Sequence, residues 1–402
     1  MTGNPLNDSS WGDLPKIAVS NEEIFITINL YINNTNWNQA VVYQVSKRDA
    51  YNGKSPKYKV WSNFMGKPFT LTALGWGQQG NYGPGIYLIC SGASASGGSN
   101  LLFYQITDTL NASGAKVNYY NIPVANFSAP TNATQMGTTW PIGTADCRSK
   151  SGFYLNGVAH FVFTSNYSGG YSGINYARLD VITTKLTMKT YGASGIHYGF
   201  PAIASFGSTI NDQSVIIGCN YVDKNSFPGI KALFCDNAMN FGSTPIDVKT
   251  GDSYVKYPTS SSPERWGDYS GAWRKCNSSS VWLAGMYGRA DHYWGQWLAE
   301  IKDISTSTND LTDNSIIKSS VYPNPAVQLF KMDVTIKKDE EIEISINDIQ
   351  GRIIKELYKG IALKGENVFT FNKNNLAPGV YFIIVKGNNK LFKTEKLVIE
   401  DN

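Results

Sequence analysis

The chain has 402 residues, of which 42% are hydrophobic, 13% aromatic and 16% charged, and its net charge is +4. This length accommodates one large and one small domain, and a charge this small, without a basic stripe, argues against a nucleic-acid-binding protein. No apolar run approaches the roughly 20 residues that span a bilayer. The polar first 13 residues show no signal-peptide pattern, so the signal peptide is expected to be absent from this sequence.

Short runs rich in aromatic and β-branched residues predict strands through the first 300 residues, whereas no helical spacing persists over three turns. The predicted strands are residues 24–30, 40–46, 69–75, 85–90, 101–107, 116–122, 157–164, 214–221, 268–275, 281–287 and 294–301. Stretches rich in Gly, Ser, Asn or Pro at 92–100, 127–140 and 165–173 predict loops.

One motif opens several of these strand groups. The sequence WGD stands at residues 11–13 and 266–268, and looser copies begin near residues 69, 145 and 198. The starts are spaced as expected for four-stranded propeller blades joined by long loops. Because one blade alone cannot bury both faces, radial stacking would cover them. The sequence therefore predicts an all-β fold, with a β-propeller of five or more blades over residues 1–301.

Composition changes after residue 301. Residues 302–319 are polar and poor in aromatics, which predicts a linker. From residue 320 the charged fraction rises and short alternating strands return at 330–336, 342–347, 367–371, 380–386 and 392–399. These strands predict a small C-terminal β-sandwich over residues 320–402.

This last segment carries several motifs in a fixed order: YPNP, a turn glycine, a Gly-Val-Tyr step and a lysine near the end. Their residues are Tyr322, Pro323, Asn324, Pro325, Gly351, Gly379, Tyr381 and Lys396. Together they resemble the type A C-terminal sorting domain of the type IX secretion system of Bacteroidota. The resemblance implies entry into the periplasm through a signal peptide, recognition of the tail by the type IX machinery, and a secreted or surface-attached product.

The front part resembles, more loosely, the sialidase-like and glycosidase-like propellers attached to such tails. Those propellers commonly carry one or two blades ahead of a segment like WGDLP at residues 11–15. We therefore expect N-terminal blades to be missing from this sequence. A complete ring of five blades is the alternative.

Asp13, Asp146 and Asp268 stand at equivalent starts of three repeats, where the innermost strands of a propeller approach one mouth of its channel. Glycoside hydrolysis needs paired carboxylates, one as acid and one as base or nucleophile. The three residues are thus the candidate catalytic groups. An Asp before a strand also caps a turn by accepting backbone N–H bonds, and a repeated turn would explain a repeated Asp equally well.

Aromatic rings beside Gly, Asn and Ser suit sugars, which present apolar C–H faces and hydroxyl edges. The candidate ligand-binding residues are Trp76, Trp140, Arg148, Tyr198, Arg265, Trp266, Tyr269 and Trp294. Packing between blades is the alternative for each ring. A further set of tryptophans on predicted strands is expected in the core: Trp273, Trp282 and Trp297.

A sialidase would also need an arginine cluster, and five arginines are available: Arg148, Arg178, Arg265, Arg274 and Arg289. No Asp-box motif, SxDxGxxW, accompanies them, which argues against that activity. The five cysteines and three histidines show no metal-ligand spacing. A disulfide between Cys219 and Cys235, or buried thiols throughout, are both open.

No nucleotide or phosphate-binding motif occurs, so neither a metal nor a cofactor is expected. Acidic loops are compatible with Ca²⁺, although no DxDxD-type run supports it. The leading hypothesis is an exported propeller that binds a glycan or a surface protein; binding without catalysis is favoured, and an enzymatic activity stays open. The alternatives are a glycoside hydrolase acting on polysaccharides or sialosides, and a structural adhesin.

Overall fold

The structure is a computed structural model that describes most of the chain. The described residues are 4–33, 36–78, 80, 82–91, 94–259, 261–268, 270–276, 278–302, 316–348, 352–387 and 390–401. The chain divides into two compact units, Met1–Lys302 and Asp303–Asn402. Among the described residues, no helix combines the length and the apolar character needed to cross a membrane.

The first unit consists mainly of antiparallel sheets that follow one another along the chain, here named blades I to V. Blade I contains β1 (Ser10–Val19), β2 (Glu23–Ile32), β3 (Asn36–Ser46) and β4 (Tyr58–Trp61), with the short helix α1 (Lys47–Tyr51) before β4. Blade II contains β5 (Thr72–Trp76), β6 (Ile86–Cys90), β7 (Gly97–Ile106) and β8 (Val117–Ser128). A hairpin of β9 (Ala133–Gln135) and β10 (Thr138–Ile142) follows.

The remaining blades continue the same order. Blade III contains β11 (Ser151–Leu155), β12 (Val158–Asn166), β13 (Ser172–Asp180) and β14 (Leu186–Tyr191), with a 3₁₀ turn at Ser168–Gly170. Blade IV contains β15 (Ile196–Ser205), β16 (Val215–Asp223), β17 (Gly229–Cys235) and β18 (Ile246–Lys249). Blade V contains β19 (Gly271–Arg274), β20 (Ser280–Gly288) and β21 (Trp294–Lys302) within the described residues.

The first strand of each blade lies at a common axis. β5 and β11 pair in parallel, with Phe153 opposite Gly75 and Tyr154 opposite Trp76, so blades II and III meet through their first strands. Residues of β1, β5, β11, β15 and β19 together line one cavity. Blades arranged around a shared axis in this way form a β-propeller, which confirms the predicted fold.

Apolar cores lie between consecutive blades because side chains alternate between the two faces of a strand. On β6, Leu88 belongs to the core shared with blade I, and Ile89 to the core shared with blade III. Similar cores join blade III to blade IV and blade IV to blade V. Glycines allow the closest approaches: a Cβ at Gly285 on β20 would lie 2.9 Å from the side chain of Ile230 on β17.

The prediction that Trp273, Trp282 and Trp297 lie in the core is wrong, because blade V buries only part of its surface. Trp273 and Trp282 are cross-strand neighbours on one face, and 64% and 44% of their surfaces are exposed. Trp297 lies on β21, the last strand of the blade, and is also exposed. The neighbouring side chains Val281 and Leu283 occupy the opposite face and pack on blade IV.

Two stretches predicted as loops contain strand residues, and the open question of a disulfide is answered. The stretch 127–140, predicted as a loop, contains the hairpin β9–β10, and β7 already begins at Gly97. No disulfide joins Cys219 to Cys235, and both thiols are buried. The strand register explains this: Cys219 lies opposite Lys231, whereas Cys235 lies opposite Val215, so the two cysteines are not cross-strand neighbours.

The second unit is a β-sandwich of two antiparallel sheets. One sheet contains β22 (Ile316–Tyr322), β23 (Leu329–Ile336) and β26 (Gly365–Asn372). The other contains β24 (Glu340–Asn347), β25 (Ile353–Ala362), β27 (Gly379–Gly387) and β28 (Lys390–Ile399). Alternate residues of β23 and β24, among them Met332, Val334, Ile342 and Ile344, form the core between the sheets.

Candidate functional site

The five first strands of the propeller surround an open cavity of about 370 Å³. This volume lies within the range of small-molecule binding sites. Its wall combines aromatic rings with hydrogen-bonding side chains. The lining residues of these kinds are Phe153, Trp76, Trp273, Thr72, Gln78, Ser151, Ser205 and Ser270.

The charged residues of the cavity wall all have the same sign. Lys16, Lys150, Arg274 and Lys275 line the cavity, and no Asp or Glu stands among the described lining residues. Two of the four cations are paired with carboxylates outside the lining. Lys150 Nζ lies 2.9 Å from Asp268, and Lys275 Nζ lies 3.1 Å from Glu300. The other two, Lys16 and Arg274, are here called the cavity cations.

Lys16 is held by neutral groups. Its Nζ donates to Thr72 Oγ1 at 2.8 Å and to the carbonyl oxygen of Ser149 at 2.7 Å. Burial lowers the pKa of the ammonium to about 7, and repulsion from Lys150 and Arg148 contributes to this shift. Within the described residues, no carboxylate lies within 4 Å of Lys16.

Arg274 is held only loosely. Its guanidinium donates to the carbonyl oxygen of Ser205 at 3.3 Å and to Ser279 Oγ at 3.5 Å. Burial lowers the pKa of this group, and the more distant Asp212 partly opposes the shift. Arg274 forms no ion pair within the part of the chain that the structure describes. Its guanidinium therefore has donors left for a ligand.

Ring packing and hydrogen bonds hold the side chains of Trp76 and Gln78 in place in the cavity wall. The Trp76 ring packs against Tyr82 and Tyr154, with ring centroids 5.7 and 5.5 Å away. Its buried Nε1 has no hydrogen-bond partner among the described residues. Gln78 Nε2 donates to Ser205 Oγ and to the carbonyl oxygen of Thr209, both at 3.0 Å. These contacts fix both side chains before any ligand arrives.

Two of the three predicted catalytic carboxylates lie in a group of paired charges, here called the turn cluster: Asp146, Arg148, Lys150, Arg265 and Asp268. Asp146 accepts bonds from the backbone N–H of Arg148 at 2.9 Å and from its Nε at 2.7 Å. Asp268 binds Lys150 Nζ at 2.9 Å and Arg265 Nη2 at 3.2 Å. Burial raises the pKa of Asp268, but these two cations outweigh it and hold the pKa below its ordinary value.

The three aspartates therefore have different surroundings. Asp146 caps its turn, which is the alternative role given above. Asp268 also lines a small adjoining cavity of about 140 Å³. Asp13 lies in β1 opposite Asn29 and forms no ion pair among the described residues. None of the three lines the 370 Å³ cavity, and their catalytic role stays a prediction.

The predicted ligand-binding residues are spread over the first unit. Trp76 lines the cavity. Arg148 and Arg265 belong to the turn cluster, where Arg148 pairs with Asp146 and Arg265 with Asp268. Trp140 lies beneath the ammonium of Lys256, and Trp294 is exposed on β21. Tyr269 lies outside the described residues.

Tyr198 and Trp266 need correction as ligand-binding candidates. Only 1% and 4% of their surfaces are exposed, because both pack inside the propeller. Tyr198 meets Tyr191 edge to face, and Trp266 meets Phe200 in the same way. The Trp266 Nε1 donates to the carbonyl oxygen of Gly143 at 2.9 Å. Neither ring offers a face to a ligand.

Sequence reasoning missed Lys16, Gln78 and the cavity position of Trp273, and it considered Arg274 only as one of five arginines for a sialidase. Lys16 follows the first WGD motif by three residues, but the corresponding position after the second motif is Gly271. The repeat therefore gave no signal for a cation there. Among the described residues, no three His, Cys, Asp or Glu side chains lie close enough to hold a metal ion.

In the second unit, hydrogen bonds join the YPNP motif to the last strand, β28. Asn324 Nδ2 donates to the carbonyl oxygen of Lys396 at 2.7 Å, and its Oδ1 accepts from the backbone N–H of Val398 at 2.8 Å. Tyr322 donates to Asp333 Oδ1 at 2.8 Å, and Tyr381 to the carbonyl oxygen of Ala377 at 2.9 Å. The other predicted signal residues are Pro323 and Pro325 beside Asn324, Gly379 at the start of β27, and Gly351 outside the described residues.

Comparison with known proteins identifies the second unit more clearly than the first. Residues 320–400 match the family described as secretion system C-terminal sorting domain. None of the curated proteins matches the chain.

Several solved structures are similar to the chain, at low identity and low TM-score. An exo-β-1,3-galactanase from Phanerochaete chrysosporium is 10% identical over 94% of this chain and 82% of that chain, with a TM-score of 0.34. A glycoside hydrolase family 32 protein from Bifidobacterium adolescentis is 10% identical over 98% and 76%, with a TM-score of 0.30. A sialidase is 8% identical over 100% and 46%, with a TM-score of 0.27. Likeness this low does not indicate a shared site.

Proposed function

We propose that the chain is an exported glycan-binding protein and that the axial cavity of its propeller holds the sugar. Residues 320–400 are a type IX secretion sorting domain, which implies interaction with the type IX machinery and export to the cell surface or secretion.

The composition of the cavity wall carries this proposal. Trp76 and Trp273 supply flat apolar surface for the C–H faces of a sugar ring. Thr72, Gln78 and Ser205 supply hydrogen-bonding groups for its hydroxyls. Rings combined with a few fixed polar groups in a concave site are typical of small-molecule recognition.

The position of the carboxylates favours binding over hydrolysis. A glycosidase needs two carboxyl groups about 5–10 Å apart on either side of the scissile bond. The described lining of the cavity contains no Asp or Glu. The nearby Asp146 and Asp268 are occupied by Arg148, Lys150 and Arg265. A general acid would need a raised pKa, whereas the cations around Asp268 lower it.

The test is retention of the full chain on a panel of immobilised polysaccharides, with assay of released reducing sugar. We expect retention without release. Trp273→Ala should weaken binding roughly tenfold, the scale of one aromatic contact. Trp282→Ala is the matched control, because Trp282 is the exposed cross-strand neighbour of Trp273 and does not line the cavity. Release that disappears in Asp268→Asn or Asp146→Asn would establish the hydrolase alternative instead.

A second candidate, protein binding at a cell surface, is favoured by the exposed face of blade V. Trp282 and Leu298 on this face are 44% and 69% exposed, beside Trp273. Exposed apolar patches of this kind mark contact surfaces. Protein-coated surfaces added to the polysaccharide panel separate the candidates: adhesion to them that is lost in Trp282→Ala, without retention on any glycan, would support the adhesin.

A further inference from the structure

We propose that the axial cavity recognises the carboxylate of an acidic sugar, a uronate residue of a polysaccharide, through Lys16 and Arg274. This inference rests on the glycan-binding function proposed above and adds the class of glycan.

The first argument is the charge of the cavity wall. Four cations and no described carboxylate line it, and carboxylates outside the lining neutralise only Lys150 and Lys275. Among the described residues, neither of the cavity cations, Lys16 and Arg274, forms an ion pair with a carboxylate. A concave site with one sign of charge concentrates ligands of the opposite sign.

The second argument is the cost of this arrangement for Lys16. Removing an ammonium from water is unfavourable unless an opposite charge compensates it. Here Thr72 and the Ser149 carbonyl supply only dipoles, and Lys150 and Arg148 add repulsion, which Asp146 and Cys90 oppose only in part. A pKa lowered to about 7 reflects that cost. A bound carboxylate would supply the missing charge and stabilise the protonated amine.

The third argument is the geometry available at Arg274. A guanidinium binds a carboxylate through two parallel N–H donors. Because the guanidinium is planar, these two bonds also fix the orientation of the bound carboxylate. The present bonds of Arg274, at 3.3 and 3.5 Å, are long and go to neutral oxygens. Arg274 and Trp273 are neighbours on β19, and both residues line the cavity.

The experiment is calorimetric titration of the full chain with three matched ligands: oligogalacturonate, its methyl ester, and a sulfated galactan oligosaccharide. The methyl ester keeps the sugar and removes the charge. We expect oligogalacturonate to bind at least tenfold more tightly than its ester. Tighter binding of the sulfated ligand than of oligogalacturonate would show that the site prefers sulfate, which would overturn the assignment to uronate.

The variants are Lys16→Met and Arg274→Gln, with Lys256→Met as the control. Lys256 lies over Trp140, outside the cavity, and loses the same charge. Each cavity variant should weaken oligogalacturonate binding at least fivefold and leave ester binding unchanged, whereas the control should change neither. Arg274→Gln keeps the test decisive if Lys16→Met misfolds, because the bonds that Arg274 makes are long.

The outcomes distinguish this inference from the proposed function. Equal binding of acid and ester, or equal losses of both in the cavity variants, would overturn the assignment of a carboxylate and leave glycan binding intact. Binding of neither ligand, together with no retention on the polysaccharide panel, would overturn glycan binding itself.

Discussion

Two charged regions of the propeller lie close together and differ in how their charges are paired. In the turn cluster, Asp146 and Asp268 each meet a cation within 3 Å. At the cavity, Lys16 and Arg274 meet only neutral oxygens. Paired charges of the first kind hold loops together, whereas a buried charge without a counterion is typical of a binding site. We therefore assign a structural role to Asp146 and Asp268, and the recognition of a ligand to Lys16 and Arg274.

The largest expected effect tests the structural half of this comparison. Asp268→Asn should lower the free energy of unfolding by about 1–3 kcal/mol, because Lys150, whose side chain is only 9% exposed, loses its counterion. The melting temperature should fall by several degrees. All ten tryptophans lie in the first unit, so tryptophan fluorescence during heating reports on the propeller alone.

Asp13→Asn is the control, because Asp13 forms no ion pair within the described residues, and it should change stability by less than about 0.5 kcal/mol. The folded-state pKa of Asp268 is lowered, so its contribution is present above the unfolded pKa and is lost as pH falls through the folded value. The difference between wild type and Asp268→Asn should therefore shrink in acid. Equal losses for both variants would mean that the repeated Asp has one common role.

The next effect concerns recognition. Lys16, with a pKa of about 7, is mostly protonated at pH 6 and mostly neutral at pH 8. A uronate stays ionised over this range, so its affinity should fall about tenfold between these pH values. The charged and titratable groups acting on Lys16 are Lys150, Arg148, Cys90 and Asp146.

One variant isolates the contribution of Lys16 to this pH dependence. Lys16→Arg keeps its charge throughout and should flatten the profile. A pH profile that survives in Lys16→Arg would contradict the assignment.

The repeat pattern predicted the fold well and the site poorly. WGD motifs and their looser copies indicated five strand groups, and the described residues form five blades with apolar residues alternating between their faces. The YPNP motif identified the sorting domain. These are local or periodic signals, which a single sequence contains.

The site depended on tertiary position. Asp13 and Asp268 stand in the same motif, yet Asp268 meets Lys150 from another blade and Asp13 meets no such cation among the described residues. Lys16 and Arg274 are 258 positions apart and line one cavity only because blades I and V share an axis. Tyr198 and Trp266 are preceded by loops in sequence but are buried by neighbouring blades. Spacing alone does not reveal such contacts.

The smallest expected effect uses a cysteine as a local probe. Cys276 is exposed and lines the cavity, whereas Cys90, Cys147, Cys219 and Cys235 are buried. Iodoacetamide should therefore modify one thiol in the native chain, as counted by mass spectrometry. Saturating oligogalacturonate should slow this reaction about threefold, because the ligand covers part of the wall near β19.

The double variant Lys16→Met/Arg274→Gln should abolish the protection of Cys276 without changing the unprotected rate. The methyl ester should protect less than the acid at equal concentration, since it lacks the charge that the cavity cations bind. Protection that is the same for acid and ester, or that survives in the double variant, would place the ligand elsewhere on the propeller. The turn cluster or the exposed face of blade V would then replace the cavity as the candidate binding surface.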